Sequence, residues 1–338
     1  MNVWIIQAYD QPKGMSSRCY HMASGLVAKG HKVTFFCNSF NHWTQLDHLN
    51  SHPKSSKQII EGIDVIWLKT PPWKGNGFSR GYNMLVNAYE AIKFSFKINE
   101  KPDIVIGPTV PLGTGFAAYL ISKIKKASFV FEIRDVWPKA LIDIDAINKF
   151  SPIYWAFRFL EIFLYKKADL ISSVLPFVHE HIAMSGSDPN KVFYIPNRCE
   201  IDENTPRPSF NKISEDVFKV TYIGGFSDSH DPITIVKAAE LLSKEDKLDI
   251  KFRFIGDGTR REECENLIKI LKVKTIEVID PVDKSIIQDE LLSSDLLIAT
   301  IKDSPIYEFG INMNKIYDYL ASGRPIIFSG KSENDPIK

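Results

Sequence analysis

An excess of charge of either sign is missing from this chain. Its 42 Lys and Arg face 41 Asp and Glu over 338 residues, a net charge of +1, so no global field argues for nucleic acid. Long apolar runs are missing too. No stretch approaches the 18 or more residues of a membrane-spanning helix. Cysteine is sparse: Cys19, Cys37, Cys199 and Cys264 are scattered, with no C-x-x-C pair. That fits reduced thiols better than a disulfide framework or a zinc site. The opening MNVWIIQAYD carries no basic segment ahead of its apolar run, and it is not expected to be a secretion signal. There is no G-x-S-x-G, no H-E-x-x-H and no G-x-G-x-x-G, and no G-K-[ST] follows a glycine loop. Hydrolase, zinc-protease and P-loop readings are unsupported, and a dinucleotide reading is weak. Low-complexity segments and short-period repeats are also absent.

What is present is alternation. The hydrophobic share of 44% and charged share of 25% are those of a globular protein. Short apolar runs at 3–7, 32–37, 63–68, 103–107, 128–132, 168–173 and 192–195 alternate with longer helical stretches, the first at 16–29. Residues 196–216 then hold three prolines and many polar residues. After them the alternation restarts at 219–223, 250–255, 275–279, 296–300 and 325–328. The expected fold class is α/β, with two doubly wound Rossmann-like domains. The expected boundaries are 1–196, a linker at 197–216, and 217–338. In such sheets ligands sit outside the carboxyl ends of the strands, so two facing domains are expected to form a cleft.

The most informative segment is GINMNKIYDYLASGRPIIF, 310–328. It reads as a loop, a short helix and a buried strand. Asn314 is expected to cap the helix, Gly323 to end it in a left-handed residue, and Pro325 to prevent continuation. A loop feeding a helix N-terminus offers free N–H groups to an anion. Lys315 adds a full charge, and Asp318 lies one turn on along the same face. The segment reads equally as a phosphate seat with a ribose-binding carboxylate and as a capped helix with a solvated Lys–Asp pair.

Other segments carry similar alternatives. Asp10-Gln11-Pro12-Lys13-Gly14-Met15-Ser16-Ser17-Arg18 after the first strand is either a plain strand-to-helix turn or an anion contact. Gly224-Gly225 after the first strand of the second domain would let a ligand lie against the backbone, and His230 beyond them could donate to a phosphate. Thr259 and Glu262 fit a capping box. Glu132, Arg134 and Asp135 end a strand that should be buried. Burying charge is costly without partners, so they form either an internal ion pair or a polar cleft. Asp143-Ile144-Asp145 spells D-x-D, away from any strand end, and is taken as a chance match. The aromatic stretch 153–167 ends in Lys166 and Lys167, and the loop 73–80 mixes aromatics with cations. Both fit helix packing or contact with anionic lipid.

Taken together, GINMNKIYDYLASGRP, EIRDVWP, YIGGFSDSHD and the Ile195-Pro196-Asn197 segment resemble a known family. The chain resembles GT-B fold glycosyltransferases of family 4 (retaining, group 1), and within them bacterial L-fucosamine transferase-like enzymes of O-antigen and capsule biosynthesis. The resemblance implies a nucleoside-diphosphate sugar donor, UDP above all, and no metal or other cofactor. It implies a saccharide or polyprenyl-linked acceptor, a cytoplasmic site with peripheral contact at the inner membrane face, and no nucleic acid partner. It places Gly14, Gly224, Gly225, Pro281, Val282, Asn314, Lys315 and Asp318 around the donor, with Asp318 on the ribose. Arg134 and Asp135 fall where relatives carry a His-Asp pair near the donor sugar. Two departures stand out. Relatives have two glutamates separated by seven residues; counting back from Asp318 the first position is Gly310, with Glu308 two residues earlier. Relatives also continue beyond the last strand, so the second domain is expected to be shortened. A catalytically idle scaffold partner and a nucleotide-sugar 2-epimerase are the alternative functions.

Overall fold

The computed structural model describes residues 1–12, 18–41, 44–50, 54–75, 77–144, 146–198, 217–245 and 249–332. Gly14, Asp145 and most of the expected linker lie outside them. The chain divides into two compact units, Met1–Pro196 and Asn197–Lys338.

The first unit runs β1 (Asn2–Ile6), α1 (Arg18–Ala28), β2 (Lys32–Asn38), β3 (Phe40–Asn41), β4 (Leu46–Asp47), β5 (Ser56–Ile60), β6 (Ile63–Leu68), α2 (Phe78–Ser95), β7 (Ile104–Pro108), α3 (Leu112–Lys125), β8 (Ser128–Ile133), α4 (Lys139–Asp143), α5 (Pro152–Lys167), β9 (Leu170–Ser173), α6 (Val178–Met184) and β10 (Val192–Tyr194). Its main sheet has the order β10-β9-β8-β7-β1-β2-β6-β5. All pairings are parallel except the edge hairpin β5–β6. Both faces of the central strands are buried. Val3 and Ile5 pack with Cys19 and Ala23 of α1 on one face, while Trp4 and Ile6 are buried on the other. Such strands read as near-continuous apolar runs. Helix α3 lies close on β7 because Gly107 and Gly115 have no Cβ; one at Gly107 would stand 2.3 Å from that of Ala118.

The second unit runs β11 (Phe218–Ile223), α7 (Pro232–Leu242), β12 (Ile250–Ile255), α8 (Arg261–Leu271), β13 (Ile276–Ile279), α9 (Lys284–Leu292), β14 (Leu296–Thr300), α10 (Asn314–Ser322) and β15 (Ile326–Ser329). Its parallel sheet has the order β13-β12-β11-β14-β15. Two cores flank the sheet. One gathers Tyr222, Phe226, Phe252 and Phe254; the other gathers Ile223, Leu297, Ile316 and Tyr319.

Each sheet reverses strand order once, at β1/β7 in the first unit and β11/β14 in the second. Those reversals open the crevices at the carboxyl ends of open α/β sheets.

Two capping expectations are corrected. Met313, not Asn314, is the N-cap of α10, and its side chain makes no cap bond. Asn314 is the first helical residue, and its Oδ1 accepts from Asn197 Nδ2 at 2.6 Å. The side chain has a better donor than its own helix. Helix α8 begins at Arg261 after Arg260, without a side-chain cap, so Thr259 and Glu262 form no capping box. The helix end at Gly323 is as expected, with φ of 68°.

Candidate functional site

In the second unit the site assembles at the β11/β14 reversal. Strand β11 ends in Gly224, whose φ of +139° suits only glycine. A Cβ there would lie 2.7 Å from Lys315 Cε and 2.8 Å from its Nζ. Lys315 therefore lies directly over the Gly224 backbone. Its ammonium also stands 4.1 Å from the centroid of the Tyr222 ring, a cation–π contact.

Lys315 Nζ is shielded from water and has no hydrogen-bond partner. Burial brings its pKa down from 10.5 to about 7. Of the two readings left open for this helix, the solvated Lys315–Asp318 pair is not what the structure shows. Burial raises the half-buried Asp318 carboxyl, opposed by the charge of Lys284. The two residues share a helix face and serve separate surroundings.

The frame around this ammonium is rigid. Tyr319 pins α10 to the sheet. Its hydroxyl accepts from Ile223 N at 2.8 Å and lies 3.3 Å from the carbonyls of Ile223 and Ile298. Gly256 allows the β12 turn to pass Gly224; a Cβ on it would stand 2.0 Å from the Gly224 carbonyl oxygen. Tyr222 donates to the Gly225 carbonyl at 2.6 Å.

His230 Nδ1 is 3.2 Å from that same carbonyl, which can only accept, so the proton sits on Nδ1. Burial and the Lys315 charge lower the pKa of the ring to about 4. The neutral ring then offers Nε2 as an acceptor. In that state His230 can receive a hydroxyl at Nε2. Pro281 is exposed after β13, and Val282 packs into the adjoining core. Glu308 is exposed in the loop before α10.

At the first unit's β1/β7 reversal lies a second polar cluster. Arg134 grips Asp10 with two bonds, Nη1–Oδ1 at 3.0 Å and Nη2–Oδ2 at 2.6 Å. Its Nε is 3.3 Å from Glu132 Oε2. Arg18 Nε donates to Glu132 Oε1 at 3.0 Å, while its Nη2 and Nη1 donate to the carbonyls of Ile195 and Pro196, each at 2.7 Å. Asp10 and Glu132 are fully buried. Burial alone would raise the Glu132 carboxyl, but Arg134 and Arg18 outweigh it and hold it below the usual range. Of the two readings left open for this segment, the internal ion pair describes Arg134. Asp135 shares no hydrogen bond with that network; desolvation raises its carboxyl, and the nearby Arg134 charge opposes the shift.

Two contributors escaped the sequence reading. Asp10 opens the loop after β1 without being singled out, although a carboxylate directly after a buried strand is itself a signal. Tyr222 reads as core in a strand and gives no sign that its face carries a cation.

Asp143 pairs with Lys139 at 2.8 Å on α4. Among the described residues no group of three or more His, Cys, Asp or Glu could hold a metal ion.

A family model for glycosyl transferase 4-like domains matches residues 13–198, and one for group 1 glycosyl transferases matches residues 217–335. The chain belongs to this glycosyltransferase family. No curated protein matches it in sequence. Solved structures share its fold at low identity. HepE from Anabaena, solved with UDP-glucose, superposes with a TM-score of 0.64 at 12% identity, covering 98% of this chain and 81% of that one. Sucrose-phosphate synthase from Thermosynechococcus elongatus gives 0.68 at 12%, covering 98% and 82%. A putative UDP-N-acetylglucosamine 2-epimerase from Listeria monocytogenes gives 0.56 at 14%, covering 97% and 78%. The fold of this glycosyltransferase is therefore GT-B, with two Rossmann-like domains. An epimerase with the same architecture means that fold alone does not choose the reaction.

Proposed function

We propose that this glycosyltransferase moves a sugar, with retention, from a UDP-sugar to a hydroxyl of a lipid-linked saccharide. The setting is surface polysaccharide synthesis of the L-fucosamine transferase type, at the inner face of a membrane. The second unit takes the donor and the first takes the acceptor. The observation that carries the reading is the unpartnered, shielded ammonium of Lys315 over Gly224 at the start of α10.

A diphosphate there would meet a full positive charge, the first amides of α10 and the partial charge of its dipole. The same groups meet the charge that grows on the leaving diphosphate. The bond from the sugar C1 to the phosphate oxygen breaks, and one from C1 to the acceptor oxygen forms. The acceptor proton goes to the departing phosphate, with no metal required. Asp318 takes the ribose hydroxyls, and Pro281 and Val282 border the base. Gly14, outside the described residues, is assigned to the donor by the family resemblance. His230 Nε2 accepts a donor hydroxyl. Arg134 holds the turn after β1 in place, and Asp135 orients the sugar.

The test is a thermal-shift panel of UDP-, GDP- and dTDP-sugars, followed by product analysis with a polyprenyl-linked acceptor. A UDP-sugar shift that disappears in Asp318→Ala, together with a new glycosidic bond, is the expected result. An inverted C2 centre and no new bond would favour the epimerase. A shift without either product would favour an idle binding protein.

A further inference from the structure

We propose that the outer face of the α2–α3–α5 helical layer of the first unit docks on an anionic lipid bilayer. The inference gives the lipid-linked acceptor reading a surface and takes only its purpose from it.

The first observation is that α2 carries a large apolar stripe on its outward side in addition to the residues it buries. A helix in a globular protein puts its apolar stripe inward and its polar residues outward. Here the buried residues are Asn83, Asn87, Ala91, Phe94 and Ser95, three of them polar. Asn83 donates to the Pro71 carbonyl at 2.7 Å, and Asn87 to the Gln7 carbonyl at 3.2 Å. The outward side carries Phe78, 91% exposed, Leu85, 68% exposed, and Tyr82 and Tyr89. Their spacing of four, three and four residues keeps them in one stripe.

Helix α5 likewise carries apolar residues outward while burying Leu164, Tyr165 and one acid. Its Glu161 is fully buried, accepting from Tyr165 at 2.7 Å and lying 2.9 Å from His181 Nε2. Ile153, Trp155 and Phe159 face outward, Phe159 at 75% exposure. In both helices buried polar groups are satisfied, so the outward apolar residues do not reflect a misplaced core.

The third observation is charge, which chooses the occupant. Helix α3 lies between α2 and α5, with contacts to both, and has no acidic residue. The acidic residues of α2 and α5 are Glu90 and Glu161, and both are engaged: Glu90 with Lys93 and Ser55, Glu161 as above. Lys93, Lys123 and Lys167 sit over the rings of Tyr89, Tyr119 and Phe163. A layer of outward aromatics interleaved with cations, with its acids tied up, suits the interface of an anionic membrane. Among the described residues no helix is long and apolar enough to cross one, so the contact is peripheral.

The test is flotation of the intact protein with phosphatidylglycerol–phosphatidylcholine vesicles and with phosphatidylcholine vesicles. Wild type should bind the mixed vesicles, bind neutral ones at least about tenfold less, and release as salt rises. The double variants Leu85→Glu/Tyr89→Glu and Lys166→Glu/Lys167→Glu should each lower binding about tenfold or more. Their thermal shift with UDP should equal wild type, which shows that they fold and keeps this test separate from the donor reading. Absence of flotation, or equal binding to both vesicle types, would overturn the proposal. So would a dimer in lipid-free light scattering that Leu85→Glu/Tyr89→Glu dissolves, because the stripe would then pair two copies of the chain.

Discussion

A shielded lysine ammonium without a hydrogen-bond partner is a group waiting for an anion. With Lys315 titrating near 7 when folded and a free lysine near about 10.4, the folded chain binds fewer protons between those values. Stability from this residue therefore rises with pH across that window, and the charged form is the costly one below it. A bound diphosphate reverses the balance and pulls the proton back on. UDP binding above pH 7 is thus expected to take up a proton, and its Kd to weaken by up to about tenfold per pH unit. Calorimetry in two buffers of different ionisation enthalpy reads this directly; buffer-independent heats at pH 8 would contradict it. Arg134 makes the opposite case, a charge fully partnered. In Arg134→Met the carboxylates of Asp10 and Glu132 stay buried and lose their strongest partner, at a cost of about 3–5 kcal/mol. Urea unfolding should show that loss, whereas a change under about 1 kcal/mol would mean the network relaxes freely. The Glu132 contribution is present above the free carboxylate range and lost as pH falls through its depressed pKa. The sequence exposed the buried charge of Arg134 but not its partner. Asp10 lies 124 residues away, and only the fold brings it near.

At the scale of elements, legibility followed local chemistry. The segment from α10 to β15 could be read because apolar spacing, the left-handed Gly323 and Pro325 agree along one short stretch. The hairpin β5–β6 was missed on its β5 side. Ser56–Ile60 is polar and half exposed because it pairs at the sheet edge, with Ile60 opposite Ile63. Its turn was nevertheless written in the sequence: Glu61 and Gly62 both take positive φ, 51° and 79°, as a two-residue hairpin turn requires. The mistaken cap at Asn314 was a tertiary effect, since its true donor, Asn197, lies beyond the reach of local rules. Gly224 is an element terminus whose role can be tested. In Gly224→Ala the new Cβ meets Lys315 and the backbone strain costs about 1–3 kcal/mol. UDP affinity should fall about tenfold or more, measured by titration calorimetry. Unchanged affinity would mean that Lys315 does not depend on that backbone.

The whole molecule divides its reporters unevenly. All six tryptophans, Trp4, Trp43, Trp67, Trp73, Trp137 and Trp155, precede residue 196. Tryptophan fluorescence therefore follows the first unit, and backbone circular dichroism follows both. A donor seat in the second unit predicts that UDP raises the midpoint of the dichroism transition more than the fluorescence midpoint. The reverse order would move the seat to the first unit. The two-sheet architecture itself was legible because parallel strands buried on both faces leave long apolar runs. The buried polar residues of α2 and α5, Asn83, Asn87 and Glu161 among them, were not, since the sequence does not say which side of a helix faces inward when both sides carry large residues.

The central claim is that Lys315 and the start of α10 hold the diphosphate of the donor. The most direct measurement is calorimetric titration of UDP and of uridine into wild type and Lys315→Met at pH 7. Wild type should prefer UDP by about tenfold to a hundredfold, and Lys315→Met should lose most of that preference while binding uridine unchanged. Equal UDP affinity in the two proteins would contradict the account.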